Sequence, residues 1–334
     1  MLAWELRAPG PIDSEPLAFV ERPAPEAGPD QVRIAVSVCG VCRTDLHVSE
    51  GDLPVHRPAV VLGHEVVGRV DALGPGVTRF AIGDRVGVPW LAGTCGVCRF
   101  CRRGNENLCP EAVFTGWDLP GGYAEHVVVH QGYAYRLPEQ IDDERAAPLL
   151  CAGIIGYRAL KRTSLPPGGR LGIYGFGGSA HITAQVALAQ GAELFVMTRS
   201  PDARALAEKL GAHWVGAADE APPAPLDGAI LFAPVGSLVP AAMAALDRGG
   251  VLAVAGIHLS DVPSLEYDAH LFYERELRSV TANTRADGEE FLALAARLGV
   301  TATTTVYPLE EGQKALADLA HDRLVGAAVL RVGR

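Results

Sequence analysis

Residues 170–180 read RLGIYGFGGSA. The first five are short and apolar, as expected of a buried strand, and residues 179–190 have a helical pattern. The glycine turn between them has the form G-x-G-x-x-A, which is typical of a dinucleotide-binding turn, because its backbone N–H groups can approach a pyrophosphate at a helix N-terminus. The expected contacts in this turn are Gly175, Gly177, Gly178, Ser179 and Ala180.

Strand and helix signals alternate after this turn. Residues 193–197, 227–232 and 250–256 are expected to be strands, and residues 203–210 and 238–246 helices. This alternation predicts a doubly wound parallel sheet, that is, an α/β domain of the Rossmann class.

The first 145 residues or so have a different, β-rich character. Residues 31–38 alternate polar and apolar side chains, and residues 60–62, 66–70 and 83–88 also read as short strands. With 334 residues the chain has room for about two domains.

Charge and composition restrict the class of protein. A net charge of −10 argues against a nucleic-acid partner or a membrane surface, since both favour basic patches. No apolar run is long enough for a membrane span, and residues 1–7 (MLAWELR) do not resemble a secretory signal. We therefore expect a cytoplasmic protein, and in a reducing compartment clustered cysteines favour metal binding over disulfides.

Four of the seven cysteines lie within fifteen residues. Their spacing, C-x2-C-x2-C-x7-C, predicts a closed structural zinc site with four thiolates. An iron–sulfur cluster is the alternative, and the distance to the fourth cysteine favours zinc. The expected ligands are Cys95, Cys98, Cys101 and Cys109.

Cys39, Cys42 and Cys151 remain, and His64 lies beside Glu65 after a strand signal. Two thiolates and one imidazole would form an open, catalytic zinc set, with water or substrate in the fourth position. The wide spacing alone does not select this set.

Several motifs in one order resemble those of a known family. The segments Cys39–His47 (CGVCRTDLH), Gly63–Glu65 (GHE) and Gly121–Glu125 (GGYAE), with Cys151–Gly153 (CAG), resemble the zinc-dependent alcohol dehydrogenases of the medium-chain dehydrogenase/reductase superfamily. The resemblance covers essentially the whole chain. It implies a GroES-like catalytic domain over residues 1–150 and 282–334, with the Rossmann domain over residues 151–281.

The resemblance also implies roles for single residues. Cys42, His64 and Cys151 would hold the catalytic zinc, whereas Cys39 would only pack. Glu65 would lie close to the metal, as an outer residue or a transient fourth ligand, and Asp45 would hydrogen-bond the ligating histidine.

The implied reaction is hydride transfer between an alcohol, aldehyde or ketone and a nicotinamide cofactor. Thr44 and His47 match the residues that relay the alcohol proton to solvent. Trp90 is expected in the substrate pocket; for Trp117 core packing is an equal alternative. The family forms dimers and tetramers, so we expect a homo-oligomer, with the strand near Val251–Ala255 extending a sheet across a twofold axis.

The end of the second Rossmann strand bears on the choice of cofactor. It has no acid, but Thr198, Arg199 and Ser200 offer one cation and two hydroxyls to a 2′-phosphate, which favours NADP(H). Asp202 nearby keeps NAD(H) open. Further expected cofactor contacts are Arg43, as a phosphate cation, and Phe232, Ala233 and Gly256.

Two other functions remain open from the sequence. One is a polyol-type dehydrogenase of the same superfamily, and the other is a non-catalytic, zinc-binding regulatory protein that retains the fold.

Overall fold

The structure is a computed structural model that describes residues 1–324 and 326–333. Its contacts divide the chain into two units. The first contains Met1–Cys151, Ala282–Ala296 and the chain from Thr301 onward, and the second contains Ala152–Thr281 and Arg297–Val300. The division falls after Cys151 rather than before it, so this cysteine belongs with the first unit.

The first unit begins with nine strands and two helices. The prediction of a strand at residues 60–62 was wrong, because Val61 forms only an isolated bridge with Glu5. The elements are β1 (Leu2–Leu6), β2 (Leu17–Glu21), β3 (Gln31–Val41), α1 (Arg43–Glu50), β4 (Val66–Leu73), β5 (Arg85–Val88), β6 (Leu91–Gly93), β7 (Val113–Phe114), β8 (His126–His130), β9 (Tyr135–Arg136) and α2 (Asp143–Pro148).

The second unit alternates strands and helices. They are α3 (Ile154–Thr163), β10 (Arg170–Tyr174), α4 (Gly178–Ala189), β11 (Glu193–Met197), α5 (Pro201–Leu210), β12 (Trp214–Gly216), β13 (Leu226–Leu231), α6 (Leu238–Ala244), β14 (Leu246–Val254), α7 (Tyr267–His270) and β15 (Glu276–Ser279).

The strands of the second unit form one parallel sheet in the order β12-β11-β10-β13-β14-β15. Numbered from β10, this is the order 3-2-1-4-5-6 of dinucleotide-binding Rossmann sheets, so the predicted fold class is confirmed. Apolar side chains fill the core because such strands are covered on both faces. The edge strands are β12 and β15, whereas β14, which contains Val251, pairs on both sides and cannot extend the sheet as expected.

The chain after the second unit adds two helices and two strands, α8 (Arg285–Leu298), β16 (Thr304–Pro308), α9 (Gly312–Ala320) and β17 (Ala327–Arg331). The strand β17 pairs antiparallel with β3 and so completes a seven-stranded sheet of the first unit. In the described residues we find no helix with the length and apolarity that a membrane crossing needs.

Candidate active site

Cys42 lies at the junction between β3 and α1. It is the N-cap residue of α1, and its backbone N–H donates to Asp45 Oδ2 at 2.9 Å. This is one half of a capping box, so the start of the helix fixes the backbone of Cys42.

His64 is fully buried beside Asp45. Its Nδ1–H donates to Asp45 Oδ1 at 3.0 Å, and the backbone N–H of Gly63 donates to the same oxygen at 3.1 Å. Burial alone would lower the pKa of His64, but the adjacent Asp45 carboxylate raises it well above the usual range. Among the described residues, nothing hydrogen-bonds to the buried Nε2, so this nitrogen has the setting of a metal ligand.

Cys151 lies in a π-helical turn, Leu149–Gly153, between α2 and α3. Its Sγ is 3.9 Å from Cys42 Sγ. The hydrogen bond between the two sulfurs lowers the pKa of Cys42 well below the usual range and raises that of Cys151. A thiolate is therefore favoured at Cys42, and the thiolate is the form of cysteine that binds metals.

Ligand atoms of Cys42, His64, Glu65 and Cys151 all lie within 4.8 Å of one another. Tetrahedral zinc with bonds of about 2.3 Å to sulfur separates two thiolates by about 3.8 Å, which agrees with the observed 3.9 Å. The four residues therefore fit a zinc ion. Burial raises the pKa of Glu65 well above the usual range, so this carboxyl is stabilised as an anion only by a nearby cation.

The four-cysteine loop forms a second group, with all four sulfurs within 4.8 Å of one another. The separations are 4.0 Å for Cys95–Cys101, 3.6 Å for Cys98–Cys101 and 3.5 Å for Cys95–Cys109. Proline follows Cys109, as in some iron–sulfur sequences. These sulfur–sulfur distances match the edges of a tetrahedron around a single metal ion better than the spacing of cysteines around a cluster of several irons. Cys39 is buried outside both groups.

The two residues of the expected proton relay lie on α1. Thr44 is buried, and its Oγ1 is 3.8 Å from Cys42 Sγ. The imidazole Nδ1 of His47 is 2.7 Å from the carboxylate of Asp52, a contact that the sequence reading missed.

Aromatic side chains lie next to the zinc ligands. The ring of Trp90 contacts His64 edge-on at 4.9 Å between centroids and is stacked with Trp117 at 5.9 Å. Phe114 stacks on both tryptophans, and His56 covers the outer face of Trp117 at 4.0 Å. Trp90, Phe114 and Trp117 therefore form one aromatic cluster beside His64.

In the second unit, the glycine turn connects β10 to α4. Gly175 has a φ of +85° and approaches Ala233 so closely that a Cβ would lie 2.8 Å from the Ala233 nitrogen, so only glycine fits. At Gly177 and Gly178, by contrast, a Cβ would meet nothing within 4 Å. The backbone at the N-terminus of α4 is therefore unobstructed at these two glycines, as the predicted pyrophosphate contact requires.

Phe232 and Ala233 follow β13, and Gly256 follows β14, at the carboxyl ends of the parallel strands. At the end of β11, Ser200 caps α5 by accepting a hydrogen bond from the Ala203 N–H at 3.3 Å.

Arg204 was missed by the sequence reading. Its guanidinium donates to the carbonyl oxygens of Thr198 and Arg199 and adds a cation to this turn. Its spacing on α5, one turn after Ser200, is the only signal of it in the sequence. Arg43 lies in the first unit, where it forms an ion pair with Asp322.

The comparisons with known proteins agree with this geometry. The alcohol dehydrogenase GroES-like domain family matches residues 28–139. A probable alcohol dehydrogenase of Mycobacterium tuberculosis is 59% identical over 99% of this chain and 97% of its own length. This chain belongs to the zinc-type alcohol dehydrogenases of the medium-chain dehydrogenase/reductase superfamily.

Two solved structures of this family resemble the chain along its length. A cinnamyl alcohol dehydrogenase of Sorghum bicolor gives a TM-score of 0.89 at 31% identity and covers 99% of this chain and 97% of that chain. A cobalt- and zinc-bound thermostable alcohol dehydrogenase of Pyrobaculum aerophilum gives 0.90 at 28% identity, with 99% of each chain covered. The chain is therefore an oxidoreductase that acts on small-molecule alcohols or aldehydes.

Proposed function

We propose that oxidation of alcohols by this chain depends on a zinc ion held by Cys42, His64 and Cys151, with Glu65 as a transient fourth ligand. The observation that carries the proposal is the ring of His64: its buried Nε2 lacks a hydrogen-bond partner among the described residues, and a ring nitrogen lies within 4.8 Å of two sulfurs and a carboxylate oxygen. A closed shell of four cysteines binds a second, structural zinc.

The residues of the first unit have separate tasks in this proposal. Bound zinc supplies Lewis-acid polarisation of the substrate oxygen, and the nicotinamide supplies the hydride chemistry. Asp45 holds the His64 ring through Nδ1, so that Nε2 carries the lone pair. Thr44 takes the alcohol proton and His47 passes it on to solvent.

Metal analysis tests this proposal. We expect close to two zinc ions per chain, and close to one in the His64→Gln variant, which also loses alcohol oxidation. A wild-type protein that is fully active with a single zinc, or a His64→Gln variant that retains two, would contradict it.

We also propose that the second unit is the cofactor domain and that it prefers NADP(H). Arg199 and Arg204 supply two cations at the end of β11, and the hydroxyl of Ser200 keeps its hydrogen for a phosphate oxygen because the cap uses only its lone pair. Steady-state kinetics with both cofactors test the preference. A kcat/KM that is higher with NADH than with NADPH would overturn it.

The proposal also includes a surface that contacts the substrate, formed by the aromatic side chains of Trp90, Phe114 and Trp117. Its flat apolar faces beside His64 support a pocket for the carbon chain or ring of the alcohol. Trp90→Ala is expected to raise the KM for apolar alcohols more than that for ethanol.

Two further parts of the proposal concern the surroundings of the chain. The exposed apolar side chains of Tyr267, Phe272 and Leu277, close to the edge strand β15, support a homo-oligomer, either a dimer or a tetramer. Sedimentation at several concentrations tests this.

Two thiolate-rich metal groups support the reducing cytoplasm as the location.

A further inference from the structure

Trp117, at the outer end of the aromatic cluster, is held by contacts with a neighbouring stretch of chain. Its indole N–H donates to the carbonyl oxygen of Pro54 at 2.8 Å. The imidazole of His56 stacks on the indole at 4.0 Å between centroids, with 21° between the two planes. The same imidazole reaches the next residue along the chain, because Nδ1 of His56 lies 2.6 Å from Oδ1 of Asp118.

We propose that His56 and Asp118 are positioning residues, which hold residues 51–59 against Trp117 and thereby fix this ring as a wall of the substrate pocket. Their effect is on which alcohols bind well, and not on the chemical step. This inference rests on the proposed function, because it acts through the aromatic pocket proposed above.

A tight turn fixes Asp118 without the help of His56. The backbone N–H groups of Asp118 and Leu119 both donate to the carbonyl oxygen of Phe114, at 3.0 and 3.1 Å, and Gly116 within the turn has a φ of +79°. The N–H of Phe114 in turn donates to Asp118 Oδ2 at 2.7 Å. One oxygen of the carboxylate is therefore bound inside the turn, and the other accepts the hydrogen bond from His56.

Residues 51–59, by contrast, have no helix or strand of their own. They follow α1, most of them are exposed, and the side chain of His56 is 44% exposed. Irregular, exposed chain of this kind has little local stability and depends on the few contacts that its side chains make. The contacts of Pro54 and His56 both lead to the turn that carries Trp117 and Asp118. Loss of His56 is therefore expected to free this stretch and to uncover the outer face of Trp117.

The position of Trp117 matters for binding because the rings lie in series. Trp117 is nearly parallel to Trp90, with 10° between the planes and 5.9 Å between centroids, and Trp90 meets the ring of His64 edge-on. Aromatic rings attract one another in offset-stacked and edge-to-face arrangements, which need defined orientations. An aromatic alcohol offers a ring for such contacts and ethanol does not. A displaced Trp117 should therefore weaken the binding of an aromatic alcohol more than that of ethanol.

The chain contains a matched control pair in the same unit. Nε2 of His321 lies 2.8 Å from Asp13, and the His321 side chain is 39% exposed, close to the value for His56. Neither residue belongs to the aromatic cluster. His321→Ala therefore removes the same kind of surface contact without a change at Trp117.

The first measurement is the KM for two alcohols, benzyl alcohol and ethanol, in alcohol oxidation. His56→Ala and Asp118→Ala are each expected to raise the KM for benzyl alcohol about fivefold, and to change kcat and the KM for ethanol less than about twofold. His321→Ala should match wild type with both alcohols. An equal loss of kcat with both alcohols in His56→Ala would indicate general damage to the site and overturn the positioning role.

The combination of variants tests whether the two residues act through their contact. In the double variant of His56→Ala and Asp118→Ala, the KM for benzyl alcohol should rise by less than the product of the two single effects. Effects that multiply would contradict the proposal. If Trp117→Ala raises this KM while His56→Ala and Asp118→Ala do not, the aromatic pocket stands and the positioning role is overturned. If Trp117→Ala has no effect either, the proposed pocket fails, and the inference fails with it.

The second measurement needs no turnover. Acrylamide quenching of tryptophan fluorescence, on intact protein free of alcohol and cofactor, reports how open the indole rings are to solvent. We expect stronger quenching in His56→Ala than in wild type or His321→Ala, because the outer face of Trp117 is uncovered. The difference should disappear when the variants are compared in a Trp117→Phe background. Wild-type quenching in His56→Ala would refute the positioning role, even if the KM has changed.

Discussion

At the scale of single residues, Asp45 is the most completely bonded side chain of the candidate site. Its two oxygens accept four hydrogen bonds, from the backbone of Cys42 and of Gly63, from His64 Nδ1 and from the hydroxyl of Tyr123. Two acceptor positions on each oxygen are thereby used, although the side chain is only 1% exposed. The orientation of the His64 ring therefore depends on all four donors.

Tyr123→Phe tests this dependence. The fully buried hydroxyl donates to Asp45 Oδ2 at 3.1 Å, and its loss leaves one acceptor position of a buried carboxyl group unfilled. Because outer hydrogen bonds tune metal affinity, we expect the catalytic zinc to be lost to a chelator on the order of tenfold faster. Tyr307→Phe, which removes a tyrosine hydrogen bond to Asp318 in the same unit, should keep the wild-type rate. Equal rates of zinc loss in the two variants would show that Tyr123 only packs and does not affect metal affinity.

Gly40→Ala tests how Glu65 is held beside the metal ligands. A Cβ at Gly40 would lie 1.8 Å from Glu65 Oε2 and 2.8 Å from Glu65 Cβ, so the side chain of Glu65 must leave its place. We expect a loss of about 1–3 kcal/mol in unfolding free energy, together with faster zinc release. The measurement is denaturant unfolding of Gly40→Ala, alone and combined with Glu65→Ala.

In the double variant the cost of Gly40→Ala should fall but not vanish, because the alanine at position 65 keeps its Cβ. Strictly additive effects of the two substitutions would show that the alanine at position 40 does not meet Glu65.

The sequence predicted individual residues well where chemistry marks them. Cysteine and histidine are recognisable by type, and motif order pointed to Cys42, His64 and Cys151, whose ligand atoms the structure groups. Tyr123 and Asp52 were missed as partners, since tyrosine and aspartate are common and only the folded chain shows that they touch Asp45 and His47. Whether the three grouped ligand residues act as proposed stays a prediction.

At the scale of elements, the π-helical turn at Leu149–Gly153 has the clearest link to function. It places Cys151 between α2 and α3, and turns of this kind are frequent at functional sites. The sequence does not reveal it, because a single wide turn leaves no periodic signal. The strand prediction at residues 60–62 failed for another reason: the apolar run is buried, but its carbonyl oxygens accept from the backbone of Leu6, at the end of β1, and of Gly121 and Tyr123, so it forms no continuous strand pairing.

The four-cysteine loop offers a prediction at this scale. It contains two short 3-10 turns and no regular strand, so we expect a bound metal ion to supply its order. Cys98→Ser is expected to lower the zinc content from two ions to one and to loosen the backbone, so that trypsin cleaves after Arg102 and Arg103, which are already exposed. Metal analysis and limited proteolysis measure both effects. Cys39→Ala is the control, because that thiol is buried outside both groups, and it should retain two ions. A Cys98→Ser variant that resists trypsin as wild type does would mean that the loop is ordered without metal.

At the scale of the whole molecule, the fold class followed from the alternation of strands and helices and was confirmed by the parallel sheet. The prediction that the strand near Val251–Ala255 lies at the edge of that sheet was wrong. The strand β15 is only four residues long and mostly polar, so no apolar pattern marks it, whereas the apolar strand β14 is more visible but lies inside the sheet.

Thermal unfolding gives a test of cofactor preference on the intact protein. A ligand that binds only the folded state adds about 2.7 kcal/mol at one hundred times its Kd. With equal concentrations of the two reduced cofactors, we expect NADPH to raise the Tm more than NADH. Arg199→Ala should remove most of the difference and leave the shift with NADH intact. A larger shift with NADH in the wild-type protein would contradict the preference.

The pairing of β3 with β17 has a consequence for synthesis on the ribosome. These strands are neighbours in one sheet, yet about 290 residues separate them in the chain, which at translation rates of 5–20 residues per second is roughly 15–60 s. Until β17 emerges, β3 lacks one neighbour and presents open backbone groups, which invite pairing with other chains. By contrast, all the strands of the contiguous segment 152–281 have been synthesised well before β17 emerges. The nascent protein therefore passes through a stage in which the Rossmann sheet is complete and the sheet beside the metal ligands is still unfinished.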